Sequence, residues 1–128
     1  MMKRRFVILV LFFITIIVSV NLMVSHNNNM IIRSFSVSEY SYEIEKFPSM
    51  EVIGQISDVE ELLDKVEMIW IKIYGNRIRK EKPYQVFYDE INGVWLVRGT
   101  LHFYSAGGVS CILVKDETGE VLAVWHEK

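Results

Sequence analysis

Cysteine is nearly absent from this chain. A single residue in 128, Cys111, leaves nothing to close an intrachain disulfide, so whatever folds here is held by its core. Cys111 stands between Ser110 and Ile112 with no basic neighbour, which suits a small buried apolar side chain better than a reactive thiol. Histidine is scarce as well. Neither His102 nor His126 has a second His, Cys or carboxylate at ligand spacing, so no metal site is expected. The glycine patterns that cradle phosphates or dinucleotides are missing, and Gly107-Gly108, with no Lys-Ser/Thr after it, reads as a turn. No cofactor is expected. Nor is there a surplus of positive charge. Setting aside Lys3, Arg4 and Arg5 leaves 11 basic residues against 16 acidic ones, which argues against nucleic acid as a partner.

What the chain has instead begins with an apolar run. Residues 6–20 carry no charge and only two hydroxyl side chains; after Asn21, Leu22-Met23-Val24 continue the run to about 19 residues. That length nearly matches a bilayer-crossing helix. Met23 spoils the small-x-small rule for cleavage after Ser25, so residues 1–25 are expected to be an uncleaved signal anchor, with a cleaved signal peptide and a secreted domain as the alternative. The Lys-Arg-Arg cluster at 3–5 stays inside, which puts the rest of the chain outside the membrane. No cysteine follows the run, so lipoprotein processing is not expected. Residues 26–47 read as a tether and an extended arm, with Ser-Glu-Tyr-Ser-Tyr at 38–42 as arm or short strand, ended by Pro48. Residues 48–128 then form the domain.

One helix is plain. Ser57-Asp58-Val59-Glu60 fits a capping box with Ser57 as the cap. Val59, Leu62, Leu63, Val66, Ile69, Trp70 and Ile73 recur at steps of three and four, one apolar stripe with Trp70 as its largest knob. Gly75 terminates it. From residue 39 to residue 67 nine acids face only Lys46 and Lys65, and between residues 72 and 82 the sign reverses. The acids on the helix, Glu60, Glu61, Asp64 and Glu67, are a candidate face for a cationic partner, although charge runs are usually just solvated surface.

After a basic connection, Pro83 opens a run of alternating apolar residues at 84–88, 94–103, 109–115 and 121–126. Asn92-Gly93 suits a tight hairpin, and residues 116–119, ending in Gly119, suit a second turn. In the second strand Trp95, Val97, Gly99, Leu101 and Phe103 share one face, with Gly99 marking a bend. A helix followed by about four antiparallel strands predicts an α+β fold, one main helix packed on a curved antiparallel sheet.

Tyr74-Gly75, Glu81-Lys82-Pro83-Tyr84, Trp95-x-Val97-x-Gly99-Thr100-Leu101, Gly107-Gly108-Val109 and a closing strand pair around Lys115, Gly119 and Val121-Leu122 occur in this order. In these residues the chain resembles the immunity proteins of bacterial polymorphic toxin systems that have the nuclear-transport-factor-2 fold. The resemblance implies a cystatin-like or nuclear-transport-factor-2-like cone and a non-catalytic protein that binds and neutralises a cognate toxin encoded nearby. It implies that Trp95 and Leu101 serve the core and that the glycines serve bends, rather than contacting the toxin.

Two other functions compete. A cone can hold an open hollow, and Asp89 and His102 on neighbouring strands would supply an acid/base pair for a small-ligand or enzymatic domain. The close Asp-Glu-Thr-Gly-Glu-Val-Leu is similar to the end of small secreted PepSY-type domains, which would make the protein a modulator of an envelope protease.

Overall fold

The computed structural model describes residues 30–103 and 106–128. The expected anchor, residues 1–25, lies outside the described residues. Among the described residues no helix is long and apolar enough to cross a membrane. The folded unit is Ile32–Lys128, so it begins well before the boundary expected at residue 48.

Its elements are β1 (Ile32–Ser34), a 3₁₀ turn (Val37–Tyr40), α1 (Ser41–Lys46), α2 (Val59–Tyr74), a second 3₁₀ segment (Asn76–Glu81), β2 (Gln85–Asp89), β3 (Val94–Arg98), β4 (Ser110–Lys115) and β5 (Val121–His126). The fold is α+β, as predicted, but the sheet has five strands in chain order rather than about four. β2 to β5 are antiparallel. β1 pairs with β2 in parallel, Ile32 opposite Val86 and Ser34 opposite Tyr88. A parallel neighbour requires a long crossover, and the arm and α2 provide it.

β4 sets the architecture. Its first five residues, Ser110 to Val114, are all fully buried, so alternate side chains need cover on both faces of the sheet. On one face Ile112 and Val114 join Val86, Val97 and Val121 beneath Leu62, Val66, Ile69 and Trp70 of α2. Trp70 is fully buried and meets Tyr84 edge-on at 5.2 Å, the central knob that the stripe predicts. Ile73 departs from that stripe; it is half exposed.

Cover for the other face comes from residues expected to be an extended arm. Phe35, Val37, Tyr40 and Ile44 pack on Val94, Leu96, Cys111, Leu113, Ala123 and Trp125. Tyr40 lies 5.6 Å from Trp125 and 5.8 Å from Phe35, ring centre to ring centre. Residues 37–46 are therefore helical, because a helix puts these side chains on one side where an extended arm would split them. Residues 47–53 then lace the free edge of β5, with bridges from Pro48 to Ala123 and from Val52 to Glu120.

Three local readings shift. The cap of α2 is Asp58, one residue later than expected; it accepts the amide of Glu61 at 2.7 Å, while Glu61 reaches back past it to the Ser57 amide at 3.2 Å. The first hairpin turn is four residues long, because the Asp89 carboxylate accepts the amides of Ile91 and Asn92 and its carbonyl accepts that of Gly93. β3 stops at Arg98 instead of bending through Gly99, and the sheet's irregularity lies between β4 and β5, where Val121 rather than Leu122 pairs with Val114.

Covering a large apolar side chain contributes about 2 kcal/mol, so leaving Leu96, Leu113 and Trp125 wet costs roughly as much as a small domain's whole stability. A chain lacking residues 1–29 should therefore unfold cooperatively in urea. One lacking residues 1–46 should bind a hydrophobic dye and lose that transition. Equal stability of the two would show that the arm is not part of the fold.

Candidate functional site

Two ends of the folded unit differ in charge, and the strand register defines them. One end gathers the turns after β2 and β4 with the start of α2: Asp116 accepts the Ile56 amide at 3.4 Å and donates its own to Gly93 at 2.9 Å. The other gathers the second 3₁₀ segment, the end of β3 and the end of β5, where Tyr74 meets the His126 ring at 5.8 Å.

At the first end Glu60, Asp64, Glu90 and Glu117 are exposed, and Ile91 among them is 94% exposed. The remaining acids there have internal tasks. Glu61 pairs with Lys65 at 2.7 Å and also accepts the Ser57 hydroxyl, and these contacts hold its carboxyl down at about 2. Asp116 accepts the Trp95 indole at 3.0 Å and the Tyr88 hydroxyl at 3.1 Å, beneath a ring pair 4.3 Å apart. Glu120 pairs with Lys115 at 3.3 Å.

Of the four predicted partner-facing acids, then, Glu60 and Asp64 point to solvent, Glu61 caps its helix, and Glu67 belongs elsewhere. Glu67 takes the Tyr84 hydroxyl at 2.8 Å, Lys82 at 3.0 Å and Arg79 at 3.3 Å, tying α2 to the Lys82-Pro83-Tyr84 segment. Burial draws its carboxyl upward, but the Tyr84 hydroxyl and Lys82 outweigh this and keep it below its ordinary value. Its partners come from after the helix, so the helix pattern alone could not assign it.

The motif residues form one clasp at the second end. Glu81 accepts the Ser110 amide at 2.7 Å and its hydroxyl at 3.2 Å, while its carbonyl accepts the Thr100 amide at 2.7 Å. The Thr100 hydroxyl donates to the Pro83 carbonyl. Gly99 lets Glu81 lie flat across the chain, since a Cβ there would fall 2.8 Å from the Glu81 Cβ. Gly108 permits a similar approach by the backbone of Glu127. Gly75, at φ 82°, ends α2; Gly107 and Gly119 lie in turns. Trp95 is half-buried against the α2 layer, but Leu101, expected in the core, is half exposed because the chain has already left the sheet.

The acid/base pair of the hollow reading is not assembled. Asp89 is buried at the acidic end, its carboxyl held low first by the Val37 amide at 2.8 Å and then by Asn92. His102 lies past the other end of β3, with Nε2 2.8 Å from the Lys82 carbonyl. Trp70 occupies the space between helix and sheet that such a hollow would need. Cys111 is buried as expected, and burial pushes its thiol up to about 12.

The sequence pattern of the NTF2 fold immunity protein family matches residues 63–128, just over half the chain, from the second turn of α2 through β5. No curated protein matches the chain. No solved structure matches it either.

Two outcomes test this geometry. Gly99→Ala should cost about 1–3 kcal/mol through the clash with Glu81, and Glu81→Ala a similar amount. In the double variant the two losses should fall short of their sum in urea unfolding; strict additivity would mean that the two residues do not touch. Glu67→Gln should destabilise by about 1–2 kcal/mol at pH 7. A carboxyl held low in the folded state stabilises it above the unfolded value near 4.5 and loses that effect as pH falls below it. The gap between variant and parent urea midpoints should therefore narrow steadily as the pH falls below 4.5.

Proposed function

The chain belongs to the NTF2 fold immunity protein family, and from that premise we propose that it neutralises a cognate protein toxin by binding and occluding it. The family match carries this reading. It takes in the acidic turn before β5 on which the protease-modulator alternative depended, and it includes the whole clasp. Those residues account for their own presence by building the fold, which leaves the remaining exposed surface for recognition.

That surface is the acidic end. Glu60, Asp64, Glu90 and Glu117 are exposed at this end, as is Ile91, so the end offers both carboxylates and an apolar side chain to a partner, the two ingredients of a protein interface. The partner it fits is a basic toxin surface with an apolar recess. Carboxylates of this kind raise the association rate by steering, and the anchor slows dissociation. The apolar run at residues 6–24 supports a membrane anchor, with the folded unit held outside the cytoplasmic membrane to meet the toxin there.

Expressing the C-terminal domain of the toxin encoded beside this chain tests both parts. The full chain should rescue a sensitive host when that domain is directed to the envelope, and it should co-purify with it. Absence of rescue and of a complex in both envelope and cytosol would sink the immunity reading. With a complex in hand, Glu60→Gln, Asp64→Asn, Glu90→Gln and Glu117→Gln together should slow association about tenfold at low salt and flatten its salt dependence. Ile91→Ala should chiefly hasten dissociation. Unchanged rates in both variants would move the interface to another surface.

A further inference from the structure

The second end of the folded unit combines charge and exposed apolar groups in a different way. Arg77 and Lys80 are exposed on the second 3₁₀ segment, and Lys82 follows them. Directly alongside, held by the Thr100 amide on the Glu81 carbonyl and by His102 on that of Lys82, the chain after β3 presents Leu101, half exposed, and Phe103, fully exposed. Cations flanking protruding aliphatic and aromatic side chains match the requirements of a lipid interface. The rings and methyls enter the boundary between headgroups and acyl chains, and the cations meet phosphate.

Topology then places this end relative to the N-terminus. β1 runs parallel to β2, and β2 begins just after Lys82, so the chain enters the folded unit at Ile32 on this same basic, apolar end. Only residues 25–31 separate the apolar run from Ile32, a reach of at most about 25 Å when fully extended. A chain anchored through residues 6–24 therefore keeps this end within one short tether of the bilayer.

We propose that Arg77, Lys80, Leu101 and Phe103 form a docking surface for anionic phospholipid, which seats the basic end on the membrane and turns the acidic end outward. The proposal rests on the anchor reading of residues 1–25. It gives the two ends separate tasks: one orients the protein on its own membrane, the other faces the incoming partner. A short tether makes even weak lipid contact effective, because the surface is already concentrated at the bilayer. The favoured occupant is lipid rather than an acidic protein, since a tether this short holds this end close to the bilayer.

The test uses the full chain reconstituted in phosphatidylcholine vesicles containing phosphatidylglycerol and a nitroxide-labelled lipid. An environment-sensitive fluorophore is attached at Ala106→Cys, in the same loop, or at Ile91→Cys, at the far end; the native thiol is buried and does not compete. The expected result is lipid quenching and a blue shift at position 106 with neither at position 91. Arg77→Gln and Lys80→Gln should each lower the docked-to-undocked ratio about fivefold, and Phe103→Asp should abolish quenching while leaving the folded unit's circular dichroism unchanged. Equal quenching at the two positions overturns the proposal. So does shielding of position 106 from aqueous iodide without lipid quenching, which would assign the surface to a protein partner or to a second copy. Alkaline extraction separates the premises. A chain stripped from the vesicles refutes the anchor, whereas a retained chain with both labels unquenched refutes the docking surface alone.

Discussion

A strand buried on both faces cannot stand on a single helix. β4 imposes that condition on the whole chain, because five successive side chains without solvent demand an apolar layer above and another below. α2 supplies one layer with Trp70 at its centre. The other comes from a short helical arm that would be marginal alone, being six residues of α1 and one 3₁₀ turn, far below the length at which an isolated helix persists. The arm is ordered by what it covers. The Val37 amide on the Asp89 carboxylate joins it to β2 at a separation of 52 residues, so one buried acid shapes the hairpin turn and also docks the second layer.

This explains which features were legible in the sequence. The stripe from Val59 to Trp70, the Gly75 stop and the positions of β2, β4 and β5 are set by local periodicity and turn residues, and they appear nearly where the pattern puts them. The arm was not legible. Its Ser-Glu-Tyr-Ser-Tyr stretch alternates like a strand and has no capping side chain, and the contacts that make it helical come from Trp125 and from the underside of β4. The same limit applies to the candidate site. Glu67 and Glu60 look equivalent on a helical wheel, and only the positions of Arg79, Lys82 and Tyr84 in space separate a structural acid from a solvent-facing one.

The motif residues that the chain shares with its family fasten three segments together. Glu81, Gly99, Thr100 and Ser110 join the segment before β2, the exit of β3 and the start of β4 in a few bonds. These bonds and the exposed acids Glu60, Asp64, Glu90 and Glu117 lie at opposite ends of the same strands, so a change in those acids leaves the clasp intact.

The direction of β1 has a mechanical consequence. Force applied between Ile32 and the hairpin turns acts along the strands rather than across them. The hydrogen bonds of β1 and β2 then share the load in shear and must yield together, whereas an antiparallel edge strand pulled from its turn would peel bond by bond. An edge strand only three residues long is thereby oriented to resist a pull between the entry of the chain into the folded unit and the far turns.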